Sequence, residues 1–220
     1  MKNKFRQYAV FFTMLTTLVL FNSCIGISMD IQMNRDGSGK LTLEYRMSKM
    51  LDNLGKLDGN VSLPSIPVGQ TDWKKTVDRI PGLKLVSFAS KDETRDTVYK
   101  IILDFDNEKA LLQFLSPLSD TVLLTNEGKK GRLDLLVLDS APSYDKNMMD
   151  LISILSADYK FSVSLSAPLK PGLILNDANG NSLTPMQSAK IVQSGKKVSF
   201  SIDTLDILEL KNGLKLIFNW

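Results

Sequence analysis

The single cysteine, Cys24, and the absence of any histidine set the limits on what this 220-residue chain can do chemically. Without an imidazole, neither a Ser-His-Asp nor a Cys-His nucleophile system can be assembled. Histidine-ligated zinc and haem are excluded on the same ground. Carboxylate pairs remain, in Asp104/Asp106 and Asp203/Asp206. At strand spacing Asp104 and Asp106 share one face, and a glycosidase needs such a pair in a cleft. A solvated strand face or a helix cap accounts for them more simply. Gly37-Ser38-Gly39-Lys40 has the composition of a phosphate loop. Asn34 stands where the first glycine belongs, however, and Leu41 where Ser or Thr must follow the lysine. Asn34/Asp36/Gly37 and Asp177/Asn179/Gly180 have the composition of calcium loops. Their first positions would be Gln32 or Leu175 and their last Leu43 or Met186, so the required carboxylates are missing. Turn chemistry explains both, and no cofactor or metal ligand set is expected.

What remains is the thiol of Cys24, whose surroundings suit lipid attachment. Lys2, Lys4 and Arg6 are followed by uncharged sequence from Gln7 to Met29. The apolar part, residues 8–21, fits the central region of an export signal and is short for a bilayer span of roughly 20 residues. Leu20-Phe21-Asn22-Ser23-Cys24 resembles a lipobox, with a small residue directly before the cysteine. Phe21 and Asn22 replace the usual leucine and small residue, so the box resembles the looser ones of spirochaetes. Residues 1–23 are therefore expected to be a lipoprotein signal peptide. Cys24 would become the first residue of the mature chain, its thiol alkylated with diacylglycerol and its freed amine acylated. An uncleaved anchor helix is the alternative, and Asn22, Ser23 and Gly26 interrupt it.

Processing changes the charge. Removal of Lys2, Lys4 and Arg6 from the 27 basic residues leaves 24 to balance 24 acidic ones. A neutral chain gives no general reason to bind nucleic acid or an anionic surface. The expected membrane partner is met through the N-terminal lipid, at the cell membrane or the outer membrane, facing periplasm or cell surface. Several acyl chains on Cys24 would hold firmly where one would not. Residues 24–220 suffice for one domain with a sizeable core. A β-rich C-terminal stretch, about 157–220, is the candidate subdomain.

The mature chain reads as α+β, a mainly antiparallel sheet with three or four short helices. Ile27, Met29, Ile31 and Met33 alternate with polar residues, as do Leu41, Leu43, Tyr45 and Met47. With Asp36-Gly37 between them they predict a hairpin with one apolar face. Helices are expected over 48–54, from Thr71 with Trp73, Val77 and Ile80 on one face, after Asp106 as cap, and from Pro142 to about Leu155. Residues 55–70 read as a loop. Strands are expected over 83–90, 97–105, 121–125, 132–138, 159–165, 198–202 and 214–220. Trp73 reads as a core anchor, and Trp220 as the completion of the last strand.

Three pieces, in order along the chain, resemble the mycobacterial LppM-type lipoprotein family. They are Met29-Asp30-Ile31-Gln32-Met33-Asn34 with Asp36-Gly37-Ser38-Gly39 and Leu41-Thr42-Leu43-Glu44-Tyr45; Ile80-Pro81-Gly82-Leu83; and Val163-Ser164-Leu165-Ser166-Ala167-Pro168 with Asn179-Gly180 and Lys197-Val198-Ser199-Phe200. The resemblance implies a non-enzymatic envelope lipoprotein that binds a lipid or glycolipid. The chain departs from the family in lacking a C-terminal transmembrane helix and in the insert 55–70. The alternative is a scaffold or assembly lipoprotein that grips a protein partner, of unknown identity, along an exposed strand edge. For the first reading, Met148, Met149 and Ile152 are the expected ligand contacts, because the apolar residues of their helix spread beyond one stripe and methionine adapts its shape. A core helix under the sheet is the plainer reading of the same residues. An apolar pocket would favour the lipid reading; a filled core with an open apolar patch would favour the other.

Overall fold

The computed structural model describes residues 25–49, 69–115, 123–127, 130–141, 146–156, 158–184 and 186–220. The expected signal segment, Cys24 and most of the expected 48–54 helix and 55–70 loop lie outside them. The first hairpin forms as its alternation requires: β1 (Ile25–Met33) pairs antiparallel with β2 (Gly39–Ser48), with Met29 opposite Leu43 and Ile31 opposite Leu41. Gly37 closes the turn at φ 81°, a left-handed conformation that glycine adopts without a Cβ clash. Ahead of it, Asp36 Oδ1 accepts hydrogen bonds from the Ser38 backbone N–H at 3.1 Å and from its hydroxyl at 2.7 Å.

α1 (Gln70–Val77) buries Trp73 and Val77, one turn apart, and packs against β3 (Leu83–Asp92). β3 pairs with β4 (Asp96–Phe105). α2 (Glu108–Leu115) buries Ala110, Leu111, Phe114 and Leu115. Its cap is Asn107, whose Oδ1 accepts from the Ala110 N–H at 3.0 Å. The expected cap, Asp106, is instead engaged by Lys84 at 3.0 Å. The order continues through β5 (Leu123–Glu127), β6 (Lys130–Leu138), α3 (Lys146–Ser156), β7 (Lys160–Ser166), β8 (Gly172–Asn176), β9 (Lys190–Ser194), β10 (Lys197–Asp203), α4 (Thr204–Leu208) and β11 (Leu214–Asn219).

The strands form a seven-stranded sheet, β3-β4-β2-β1-β7-β10-β9, and a four-stranded sheet, β5-β6-β11-β8. All pairings are antiparallel except that of β1 with β7. Residues 157–220 supply strands to both sheets. The α+β class with a dominant antiparallel sheet holds. Among the described residues the helical part is thinner than three or four helices suggested, with helices of 8, 8 and 11 residues and one turn of 5.

Register aligns the core in rows across the large sheet. Leu103, Leu41, Ile31, Leu165 and Val198 lie side by side on five strands, and Ile101, Leu43, Met29, Val163 and Phe200 form the next row. All ten are buried and join one hydrophobic cluster with Leu133, Leu216 and Phe218 of the small sheet. Each such side chain contributes about 1.5–3 kcal/mol relative to exposure. The opposite face carries Thr42, Asp30, Ser164 and Ser199 in register, the polar half of the alternation. Trp220 follows β11 and exchanges two backbone hydrogen bonds with Gly131, at 2.8 and 2.9 Å.

Candidate functional site

The expected attachment residue, Cys24, lies outside the described residues, and the next residue, Ile25, opens β1 opposite Met47. On α3, Met149 is half-buried and Ile154 is 75% exposed. The side chains of Met148 and Ile152 are not among those described.

The carboxylate pairs are dispersed into ion pairs and hydrogen bonds. Asp104 meets Lys40 at 2.7 Å, Asp106 meets Lys84, Asp203 meets Lys160 at 3.2 Å, and Asp206 accepts from Ser188. Asp106 falls beyond the end of β4, so it does not share a strand face with Asp104. Lys40 of the phosphate-loop-like segment is spent on Asp104. Asp36 and Asp177 organise turns. Hydrogen bonds from Ser38 hold the Asp36 carboxyl below its ordinary pKa. For Asp177 the chief cause of the same shift is Asn181, whose side chain donates at 2.9 Å and whose backbone donates at 2.7 Å. No group of three or more acidic or cysteine side chains that could hold a metal occurs among the described residues.

An aromatic cluster covers one end of the core face. Tyr45 stacks on Tyr99 at 4.8 Å between centroids, and Trp73 stands 6.5 Å from Tyr45 and 6.2 Å from Phe114. Burial pushes the Tyr45 hydroxyl up to about 12, so it stays protonated. Trp73 is thus the core anchor its spacing suggested.

Exposed apolar side chains also stand on edge strands of both sheets. β9 closes the large sheet with β10 as its one neighbour, and all five of its residues are exposed. Ile191 is 44% and Val192 60% exposed, on opposite faces of the strand. The Gln193 side chain donates to the Pro171 carbonyl, which draws the start of β8 alongside. β8 is itself an edge strand, and its Ile174 is 50% exposed. Lys170 before β8, Lys190 in β9 and Lys196 after it are exposed and without an ion-pair partner among the described residues. The other edge of the large sheet, β3, has α1 packed against it.

A cleft of about 360 Å³ lies nearby, between the β1–β2 turn and the end of β7. Met33, Ala167 and Pro168 supply its apolar lining, and Arg35 and Lys196 its charge. It is open to solvent and sits at the small end of the roughly 300–1,000 Å³ range of ligand pockets.

β9, like β8 and the short α4, is an element that sequence reasoning missed. A strand exposed on both faces has no alternation to detect. The available signal was Ile191-Val192, a β-branched pair, followed by Gly195 before the alternating strand Lys197–Asp203. Gly195 takes a φ of 56°, the left-handed value of a tight hairpin turn.

No family model matches the chain, and no curated protein matches it. Among solved structures it is similar to the folded domain of the Mycobacterium tuberculosis protein LppM, determined by NMR. The two are 9% identical over 89% of this chain and 88% of that one, with a TM-score of 0.47. The likeness is distant and at the level of fold.

Proposed function

We propose that this chain is a lipid-anchored bacterial envelope protein without catalytic activity, whose domain docks an extended segment of a protein partner along β9. The anchor rests on the signal-like segment and on Cys24, the chain's one thiol. A non-catalytic role is supported by the lack of histidine and by the dispersal of the carboxylate pairs.

The observation that carries the docking reading is the open edge itself. β9 presents unpaired backbone groups together with Ile191 and Val192, and strand addition uses both. Each backbone hydrogen bond gains only about 0.5–1.5 kcal/mol net. Ordering each partner residue costs about 1–2 kcal/mol. Backbone pairing alone therefore does not hold a partner, and Ile191 and Val192, one on each face of the strand, must supply the balance. Lys170, Lys190 and Lys196 favour a segment with acidic residues between its apolar ones. A lipid held in a cavity fits less well, because the core rows are closed and the cleft beside Met33 is small and cationic.

Two experiments test this reading. Fatty-acid labelling of cells should mark the wild-type chain and leave Cys24→Ala unlabelled; label on the variant removes the anchor. A photo-crosslinking amino acid at Val192 in intact cells should give a discrete protein adduct, lost when Ile191 is changed to Lys. No adduct, together with lipid retained by the purified domain in native mass spectrometry, would return the function to an amphipathic ligand.

A further inference from the structure

We propose that the end of the large sheet where β1 begins is seated on the bilayer, with Ile154 of α3 entering the interface. This inference rests on lipid attachment at Cys24.

The argument starts from the length of the tether. One residue spans at most about 3.6 Å of extended chain. Cys24 directly precedes Ile25, which is already in β1 and opposite Met47. Lipid on Cys24 is therefore joined to a rigid central strand with no intervening linker, and the nearest end of the sheet stays within a side chain's length of the membrane surface.

Register says what shares that end. β2 finishes there, β4 starts there at Asp96, and β3 finishes there at Asp92. β7, parallel to β1, starts there at Lys160, and β10 ends there at Asp203 before α4. The far end, at Arg35, is ten residues along β1 and its turn, about 30 Å away at strand rise.

Ile154 belongs to the near end. It lies two residues before Ser156, whose carbonyl accepts from the Tyr159 N–H at 2.9 Å. The Tyr159 ring in turn packs 3.3 Å from where a Cβ on Gly26 would lie. A helical isoleucine exposed to 75% two residues before Ser156 gains an apolar environment if the membrane is its neighbour. The charges at this end offer little resistance. Arg46 pairs with Glu93 at 2.6 Å, Arg95 with Asp158 at 2.7 Å and Lys160 with Asp203. Paired charges present little net field to an anionic headgroup layer. Seated this way, the sheet stands upright. β9, whose Lys190 lies toward the near end and Ser194 toward the far end, runs up the side and stays clear of the bilayer.

Lipidation consumes the only native thiol, so an introduced cysteine is the one reactive site. The full chain, lipidated in bacterial cells, would be placed in vesicles of phosphatidylethanolamine and phosphatidylglycerol. A fluorophore would then be attached at Ile154→Cys, Thr94→Cys or Arg35→Cys. Labels at 154 and 94 should be quenched several-fold more by nitroxide-bearing lipids than the label at 35, and several-fold less by aqueous iodide. Equal quenching at all three positions, in protein that floats with the vesicles, overturns the orientation while leaving the anchor intact. Protein that does not float overturns the anchor, and the orientation falls with it.

Discussion

The hydroxyl of Tyr159 donates a 2.7 Å hydrogen bond to Oδ1 of Asp96, from the entry of β7 to the first residue of β4. Both residues are buried, and the second oxygen of Asp96 accepts from Arg46 at 3.1 Å. The bond joins strands separated in the sheet by β2 and β1, so it ties the β3–β4 hairpin to the middle of the fold.

Tyr159→Phe removes the donor and leaves a buried carboxylate oxygen without it. An unsatisfied buried polar group costs about 1–3 kcal/mol. Urea unfolding of residues 25–220 should show a loss in that range with an unchanged slope. A loss below a few tenths would mean that water takes the place of the hydroxyl.

Asp134 makes acid stability predictable in sign. Burial works against its ionisation, but hydrogen bonds from Arg132 at 2.6 Å and Lys215 at 3.0 Å outweigh burial and hold its pKa below the ordinary value. A carboxyl depressed in the folded state stabilises fully above its unfolded pKa of about 3.9. That contribution fades as pH falls and is gone below the folded pKa. Asp134→Asn should therefore cost stability at neutral pH and little or nothing in strong acid. A stability difference that does not shrink on acidification would contradict the assignment.

Gly39 is required for space. A Cβ there would lie 2.0 Å from the Gln32 carbonyl oxygen and 2.4 Å from the Phe105 ring. The carbonyl belongs to the paired hairpin and cannot withdraw without breaking register. Gly39→Ala should destabilise by about 1–3 kcal/mol through overpacking, read as a fall in melting temperature, whereas Gly180→Ser, with open space around it, should suffer only backbone strain.

What the sequence made readable follows from what a single strand or helix can encode. Alternation told which face of β1 and β2 is buried, and Asp36-Gly37 told where they turn. Neither says which strand lies on the other side, so the parallel pairing of β1 with β7 was invisible. The cap of α2 passed from Asp106 to Asn107, two adjacent residues equally able to cap, because Lys84 stands across from the first. α4 is a five-residue turn, too short to establish a helical period. An expectation for Cys24 could be formed because it rests on a local pattern, while the edge of β9 needs the whole sheet to define it.

An edge able to receive a partner should also find itself when none is present. Two β9 strands pairing antiparallel about Val192 would set Val192 of one copy opposite Val192 of the other and Ile191 opposite Gln193. They would also bring Lys190 and Lys196 of each copy into the same neighbourhood. The apolar side chains favour this association and the lysines oppose it. Raising salt from about 0.1 M to 1 M shortens the screening length from about 10 Å to 3 Å, which weakens the opposition and leaves the attraction. Sedimentation velocity on residues 25–220 should therefore show weak self-association that grows with salt. Val192→Lys should suppress it while changing stability by no more than about 0.5 kcal/mol, since position 192 is mostly exposed. Association that weakens with salt would point to ion pairing at some other surface. A wild-type domain that stays monomeric at high salt and concentration would show that the edge lacks the adhesion on which the docking reading depends.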